Sequence, residues 1–224
     1  TPQGAASLIV LPVQQAEALD ASGKPVAINQ GMRESLLQQF SSPKGDAPLT
    51  LVVNHLKSKG SACFEDYPDY ASADPLDGQG HCNALRVSAA KVLGESLKDM
   101  SGDLLIIGDL NAYGMEDPIR VLTSYDPAAQ PRQIMSASFT TLAGQPFEES
   151  GSALGKGYGF VNLNTRFHGT DTYSYSYEGE LGNLDHALAN PSLAAKVIGI
   201  EDWHINSAES NFFEYGSKYT GQLA

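Results

Sequence analysis

Two short apolar runs that stop abruptly at polar residues, with one amphipathic stripe between them, constrain this chain more than any other feature. Leu49-Thr50-Leu51-Val52-Val53 runs into Asn54-His55-Leu56-Lys57-Ser58-Lys59-Gly60, and Leu104-Leu105-Ile106-Ile107 runs into Gly108-Asp109-Leu110-Asn111. Short β-rich apolar runs bounded by turn-forming residues read as strands buried in a sheet. From Ala84 to about Asp99, Leu85, Ala89, Val92, Leu93 and Leu97 fall on one helical stripe. Asp117 and Pro118 suit the N-cap and first position of a short helix ending at Leu122. Tyr173, Tyr175 and Tyr177, alternating with Ser and Thr, fit a half-exposed strand, and Leu184–Ala189 and Val197–Ile205 read as further strands. Strands and helices mixed in this order, without strict alternation, predict an α/β layered sandwich with mixed sheets. No repeat, low-complexity stretch or linker divides the 224 residues, which are expected to form one domain.

Three polar clusters sit where the apolar strands stop, the position from which a rigid scaffold commonly presents reactive side chains. They are Asn54-His55 with Lys57 and Lys59, Asp109 with Asn111, and Asp185-His186. Each alone has a plain structural reading: a hydrogen-bonded histidine, a turn, a satisfied polar step. Three in one domain point to use, because polar groups beside buried strands cost stability unless they are paired or employed.

Charge limits what such a site can act on. With 26 Asp and Glu against 14 Lys and Arg, the formal net charge is −12. That excludes a protein that packages DNA through many phosphate contacts. A hydrolase working through a metal and a few local cations, such as Lys57, Lys59 and Arg86, remains compatible. No stretch approaches the roughly 18 uninterrupted apolar residues of a membrane helix. Thr1-Pro2-Gln3-Gly4 has neither the charged nor the apolar part of a secretion signal, so any signal is expected to have been removed or to lie outside this sequence.

Cys63 and Cys82 are the two cysteines, in a stretch rich in Tyr, Pro, Asp and Gly. A bridge would close a loop of about 20 residues, worth on the order of 3 kcal/mol in the chain-entropy model. It would favour an oxidising compartment, and two free thiols are the alternative. Zinc is disfavoured, since His81 beside Cys82 is the lone extra ligand and no paired C-x-x-C completes a set of four. Glu65, Asp66, Asp69, Asp74 and Asp77 crowd the same loop without the spacing of an EF-hand, which favours a solvated acidic face over a structural Ca²⁺.

Val53-Asn54-His55-Leu56-Lys57-Ser58-Lys59-Gly60, Ile107-Gly108-Asp109-Leu110-Asn111-Ala112-Tyr113 and Gly182-Asn183-Leu184-Asp185-His186-Ala187-Leu188-Ala189, in this order, resemble the motif series of the endonuclease/exonuclease/phosphatase superfamily. More narrowly they look like secreted bacterial extracellular nucleases of the ExeM and NucH type, and Trp203-His204-Ile205-Asn206 also fits that subgroup. The resemblance implies a four-layered, DNase-like α/β sandwich with two mixed β-sheets packed face to face and the active site at one end. It implies metal-dependent phosphodiester chemistry, which needs an activated water, a cation to offset charge on phosphorus and help for the leaving oxygen. Under it, Asp109 would hold or orient the metal and water, and Asn111 would organise a phosphate oxygen beside that metal. His55 would contact the scissile phosphate or leaving group, and Asp185 would orient a catalytic histidine. Asn54, Lys57 and Arg86 would face phosphate, although Arg86 could instead pair with a surface acid. The oxygen-rich donors suit Mg²⁺, Mn²⁺ or Ca²⁺. Tyr173, Tyr175 and Tyr177 could stack on bases or pack on the sheet.

Two departures qualify the resemblance. The superfamily closes on a Ser-Asp-His step, where this chain has Asn206-Ser207-Ala208-Glu209-Ser210; the missing role falls to His204, or alternatively to Glu209, while His204 could equally be a partly buried ring beside Trp203. The early Asn and metal-binding Glu of the family have no visible counterpart before Asp46, where Glu17, Asp20 and Glu34 are the acidic residues. The chain, 1–224, is therefore expected to be the C-terminal part of one nuclease domain, completed by an N-terminal fragment. The function implied is a secreted or cell-surface nuclease hydrolysing extracellular DNA, and RNA within its range. Two alternatives stand beside it: a lipid or inositol-phosphate phosphodiesterase or phosphatase of the same fold, and a non-catalytic half-domain that needs its partner.

Overall fold

The computed structural model describes residues 1–42, 47–68, 78–130, 132–177 and 179–204. Over these the elements run β1 (Pro2–Ile9), β2 (Val13–Leu19), β3 (Pro25–Gln30), β4 (Ser35–Phe40), β5 (Leu49–His55), α1 (Asn83–Leu97), β6 (Asp103–Asp109), α2 (Asp117–Leu122), β7 (Thr140–Leu142), β8 (Gln145–Glu148), β9 (Val161–Asn162), α3 (Leu163–His168), β10 (Tyr175–Tyr177), β11 (Glu180–Gly182), β12 (Asp185–Ala189) and α4 (Pro191–Ala194). The fold is mixed α/β, as the sequence predicts. A six-stranded sheet has the order β1-β4-β5-β6-β12-β9, a four-stranded sheet the order β3-β2-β7-β8, and β10-β11 form a separate ribbon. The large sheet is mixed: β5 and β6 are parallel, joined by α1, and its other pairs are antiparallel. The four-stranded sheet is antiparallel throughout.

Alternation of side chains along β5 and β6 sends Val52, Leu104 and Ile106 to one face, where they join Leu93 and Leu97 of α1, Ile119 and Leu122 of α2, and Leu188 of β12 in the main core. α1 is wrapped on more than one side. Its Lys91 pairs with Glu148 of β8 at 2.6 Å, Ser88 Oγ accepts the Ala137 N–H at 2.9 Å, and Gly94 lies against the Tyr158 ring. A Cβ on Gly94 would meet that ring at 2.1 Å, so this contact requires glycine.

The opposite face of the large sheet is covered over β12 by Leu163 of α3 and Ala194 of α4. Over β1, β4 and β5 it presents a register row of apolar residues, Leu8↔Leu36 and Leu36↔Val53, which are 58%, 45% and 40% exposed. Among the described residues nothing buries that row.

Two element expectations need correction. Asp117 is the first residue of α2 and Glu116 is its N-cap, a shift of one position. Residues 197–204 form no strand, and position 205 lies outside the described residues. The apolar side chains there do not alternate between faces: Val197 N–H closes the end of α4 on Leu193 O, Ile198 is 98% exposed, and the Ile200 carbonyl is bonded by His168.

Candidate active site

Strand register gathers the three polar clusters at one end of the large sheet. β5 and β6 pair as Asn54↔Gly108 and His55↔Asp109, and β12 pairs with β6 as Asp185↔Asp109 and His186↔Gly108. Alternation then puts His55, Asp109 and Asp185 in one row on one face, continuing the Leu8–Leu36–Val53 face, and Asn54 and His186 on the other. Gly108, at φ +121°, makes the close approach possible, because a Cβ there would lie 2.1 Å from the Asn54 carbonyl oxygen.

His55 is held from both sides. Its Nε2 lies 3.7 Å from Asp109 Oδ2, and its Nδ1 lies 3.0 Å from Arg33 Nη1. A guanidinium has only donors, so Nδ1 is the acceptor and the ring hydrogen sits on Nε2, facing Asp109. Asp109 Oδ1 accepts the Asn111 N–H at 2.8 Å, and Asn111, at φ +47°, donates Nδ2 to Leu56 O at 3.1 Å. Burial holds the Asp109 carboxyl above the usual aspartate range, and the charge of Asp185 opposite pushes it further, against the Asn111 N–H, His55 and Arg86. The resemblance implies that Asp185 orients a histidine; across the ladder from it the fold puts Asp109.

Several expected phosphate contacts turn out to serve the scaffold. Asn54 is buried on the opposite face, donating to Val52 O and Ile107 O and accepting the Ser35 hydroxyl at 2.6 Å, so it ties β4, β5 and β6 together. Arg86 is fully buried and donates to the carbonyls of Lys57, His81 and Gln79, fastening the loop after β5 to the start of α1. Neither the phosphate-facing nor the surface-acid reading of Arg86 fits that position. Lys59 is paired with Glu116 and lies 4.1 Å from the Tyr113 ring centroid. Lys57 is half-buried, two positions past His55. His186, also buried, has Nε2 2.7 Å from Ala112 O and Nδ1 3.2 Å from Asn162 Nδ2, and burial depresses its basicity. His204 stacks on Tyr173 at 3.8 Å, in a hollow with His168, Asp171 and Asp202, and no contact among the described residues joins it to His55 or Asp109. Glu209 and the rest of 206–210 lie outside the described residues. Tyr175 and Tyr177 are exposed on their ribbon.

Cys63 and Cys82 are bonded to each other and fully buried. Of the acids in that loop, Glu65 and Asp66 do not form a solvated face. Asp66 Oδ2 accepts the N–H groups of both cysteines at 2.8 and 2.9 Å, and buried Glu65 accepts from Leu85 N and Gln14 Nε2, each at 3.2 Å. Asp69, Asp74 and Asp77 fall outside the described residues. Among the described residues, Cys63, Asp66 and Cys82 are the one place where three potential metal ligands converge, and there the sulfurs are joined to each other. The row itself offers two carboxylates, those of Asp109 and Asp185, from cross-strand partners on one sheet face. That suits a cation such as Mg²⁺, which takes one or two carboxylates and keeps waters and substrate oxygens as further ligands.

Arg33 and Ser174 are site residues that the sequence reading misses. Ser174 Oγ accepts the N–H groups of Leu184 and Asp185, both at 3.1 Å, and so positions the start of β12. The signal for Arg33 was its register: Leu36↔Val53 puts the residues just before β4 beside His55.

No protein-family model matches the chain, and no curated protein matches it in sequence. Among solved structures it is similar to the human Nocturnin catalytic domain with bound sulfate anion, at 12% identity and TM-score 0.39, covering 83% of this chain and 48% of that one. It is also similar to a functionally unknown conserved protein from Enterococcus faecalis V583, at 15% identity and TM-score 0.40, covering 84% of this chain and 55% of that one. The chain thus spans about half the length of these structures. Among the described residues no helix is long and apolar enough to cross a membrane.

Proposed function

We propose that this chain is the C-terminal part of a secreted, divalent-metal-dependent nuclease that hydrolyses phosphodiester bonds of extracellular DNA, with RNA within its range. The observation that carries the reading is the single row His55–Asp109–Asp185, three reactive side chains brought from distant segments to one sheet end. The motif resemblance to the endonuclease/exonuclease/phosphatase superfamily supports the same chemistry, and the buried disulfide accords with an oxidising compartment.

In this reading Asp109 and Asp185 would hold Mg²⁺ or Mn²⁺, and Asn111 would contribute its amide oxygen; Ca²⁺ is a further candidate. When bound, the ion supplies positive charge for the developing phosphorane and lowers the pKa of a coordinated water. His55, with its hydrogen on Nε2, donates to a non-bridging phosphate oxygen, and Arg33 adds positive charge behind the ring. A water oxygen would bond to phosphorus and give up a proton to solvent, the P–O bond to the leaving nucleotide would break, and the leaving oxygen would gain a proton from solvent. The metal set and the exposed Leu8–Leu36–Val53 row share one face, so the N-terminal half of the domain is the proposed cover for that face and the source of further ligands.

The test is degradation of plasmid DNA by the full-length protein in Mg²⁺, Mn²⁺, Ca²⁺ and EDTA, with sphingomyelin and phosphoinositides as parallel substrates. Metal-dependent DNA cleavage is expected. Turnover of the lipids alone would move the reading to a lipid phosphodiesterase, and inactivity of this chain restored by the N-terminal half would assign it as half of the catalytic domain.

A further inference from the structure

Tyr175 and Tyr177 are 44% and 58% exposed on the β10–β11 ribbon. Side chains alternate along a strand, so both rings leave one face of the ribbon. Tyr173, the third tyrosine of the series, is stacked on His204 instead. Among the described residues no ring or cation lies against either exposed ring. Two large rings side by side form a patch, which marks a surface in use more strongly than scattered exposure does.

The ribbon is fastened to the catalytic row. Ser174, immediately before Tyr175, accepts the Asp185 N–H at 3.1 Å. Tyr175 pairs with Gly182, and cross-strand partners share a face. The Tyr113 ring lies on that face of Gly182, where a Cβ would meet it at 2.3 Å, and Tyr113 follows Asn111 by two positions. The tyrosine face therefore adjoins both the loop after Asp109 and the start of β12. Two residues of strand rise roughly 6.6 Å, about twice the ~3.4 Å spacing of nucleotides in a duplex strand, so neighbouring bases of an unpaired strand can each take one ring. Charge offers little grip here. Arg86 is buried on three carbonyls, Lys59 is paired with Glu116, and Glu180 sits opposite Tyr177 on the same face. Base stacking needs no such charge, but it does need an unpaired strand, because bases within a duplex present only their edges.

We infer that Tyr175 and Tyr177 form a stacking platform for unpaired nucleotides flanking the cleaved bond, so that the site favours single-stranded nucleic acid; duplex DNA reaches the row without that grip. The inference rests on the phosphodiesterase reading for the cleaved bond, and its binding test is independent of catalysis. In EDTA, fluorescence anisotropy on the full-length protein should find a labelled oligothymidylate of about 12 nucleotides bound about fivefold or more tighter than an abasic strand or a duplex of the same length. Tyr175→Ala and Tyr177→Ala should each weaken that binding at least about fivefold, whereas Tyr175→Phe and Tyr177→Phe, which keep the ring, should stay within about twofold of the wild type. Equal binding of the abasic strand, duplex bound as tightly as the single strand, or Ala variants that bind like the wild type would overturn it. Phe variants as weak as the Ala ones would overturn it too, since the loss would then belong to the hydroxyls. Hydrolysis of bis(4-nitrophenyl) phosphate by the wild type, which involves no base, reports on the phosphodiesterase reading alone.

Discussion

Arg33 Nη1 donates to His55 Nδ1 at 3.0 Å, while His55 Nε2 faces Asp109 Oδ2 at 3.7 Å. The two contacts orient the ring and fix its tautomer, which makes Arg33 a positioning residue. Arg33→Ala is expected to lower the rate of phosphodiester hydrolysis roughly ten- to a hundredfold. It should also let the Nδ1–H tautomer of His55 appear in ¹⁵N spectra. A variant slowed with its tautomer unchanged would leave only a charge effect.

Asp109 sits opposite Asp185 and is partly buried, so its carboxyl is held above its ordinary value of 3.8. A raised carboxyl means that the protonated form fits the fold better than the charged one. Its stabilising contribution is present below pH 3.8 and is lost as pH rises through the higher folded value. Without metal, Asp109→Asn should therefore melt above wild type at pH 7. That gain should fade as pH falls to the ordinary aspartate range, and saturating Mg²⁺ should favour the wild type. Melting curves across pH, with and without Mg²⁺, measure this directly.

Glu65 anchors the start of α1 to β2 and is raised by burial. Glu65→Ala leaves the Gln14 amide and the Leu85 N–H without their partner and should cost roughly 2 kcal/mol. Glu65→Gln keeps an acceptor without a buried charge and should cost less than half of that at pH 7. Urea denaturation of the two variants checks the order.

Reduction of the Cys63–Cys82 bond frees a loop whose ends are 19 positions apart. The chain-entropy model puts its contribution at about 3 kcal/mol. Cys63→Ser with Cys82→Ser should show a loss of that size in urea unfolding, with a corresponding rise in protease sensitivity around 63–82.

The central strands were legible because the β5 and β6 segments carry short, β-rich apolar runs that end in polar residues, and α1 carries a clear stripe. The first four strands were not. Ser, Gln and Ala fill much of β1 to β4, so no apolar alternation marks them, and Arg33 went unread with them. Residue chemistry also misled where burial decides the role. An arginine after a cysteine loop looks like a phosphate ligand, but three backbone carbonyls enclose Arg86. Asn54 and His55 are neighbours in sequence, yet alternation sends only His55 to the face of Asp109. The apolar residues after α4 resemble a strand in composition, but they close a helix end and meet His168. The three alternating tyrosines read alike in sequence, yet packing stacks Tyr173 on His204 and leaves Tyr175 and Tyr177 exposed.

The most direct measurement is the Mg²⁺-dependent rate of plasmid cleavage by the full-length protein, compared with His55→Ala and Asp109→Ala at matched folding. The wild type should cleave in Mg²⁺ and stop in EDTA, and each variant should be slower by at least about a hundredfold. Cleavage that persists in EDTA, or near-normal rates in either folded variant, would contradict the assignment of the His55–Asp109–Asp185 row as the catalytic centre.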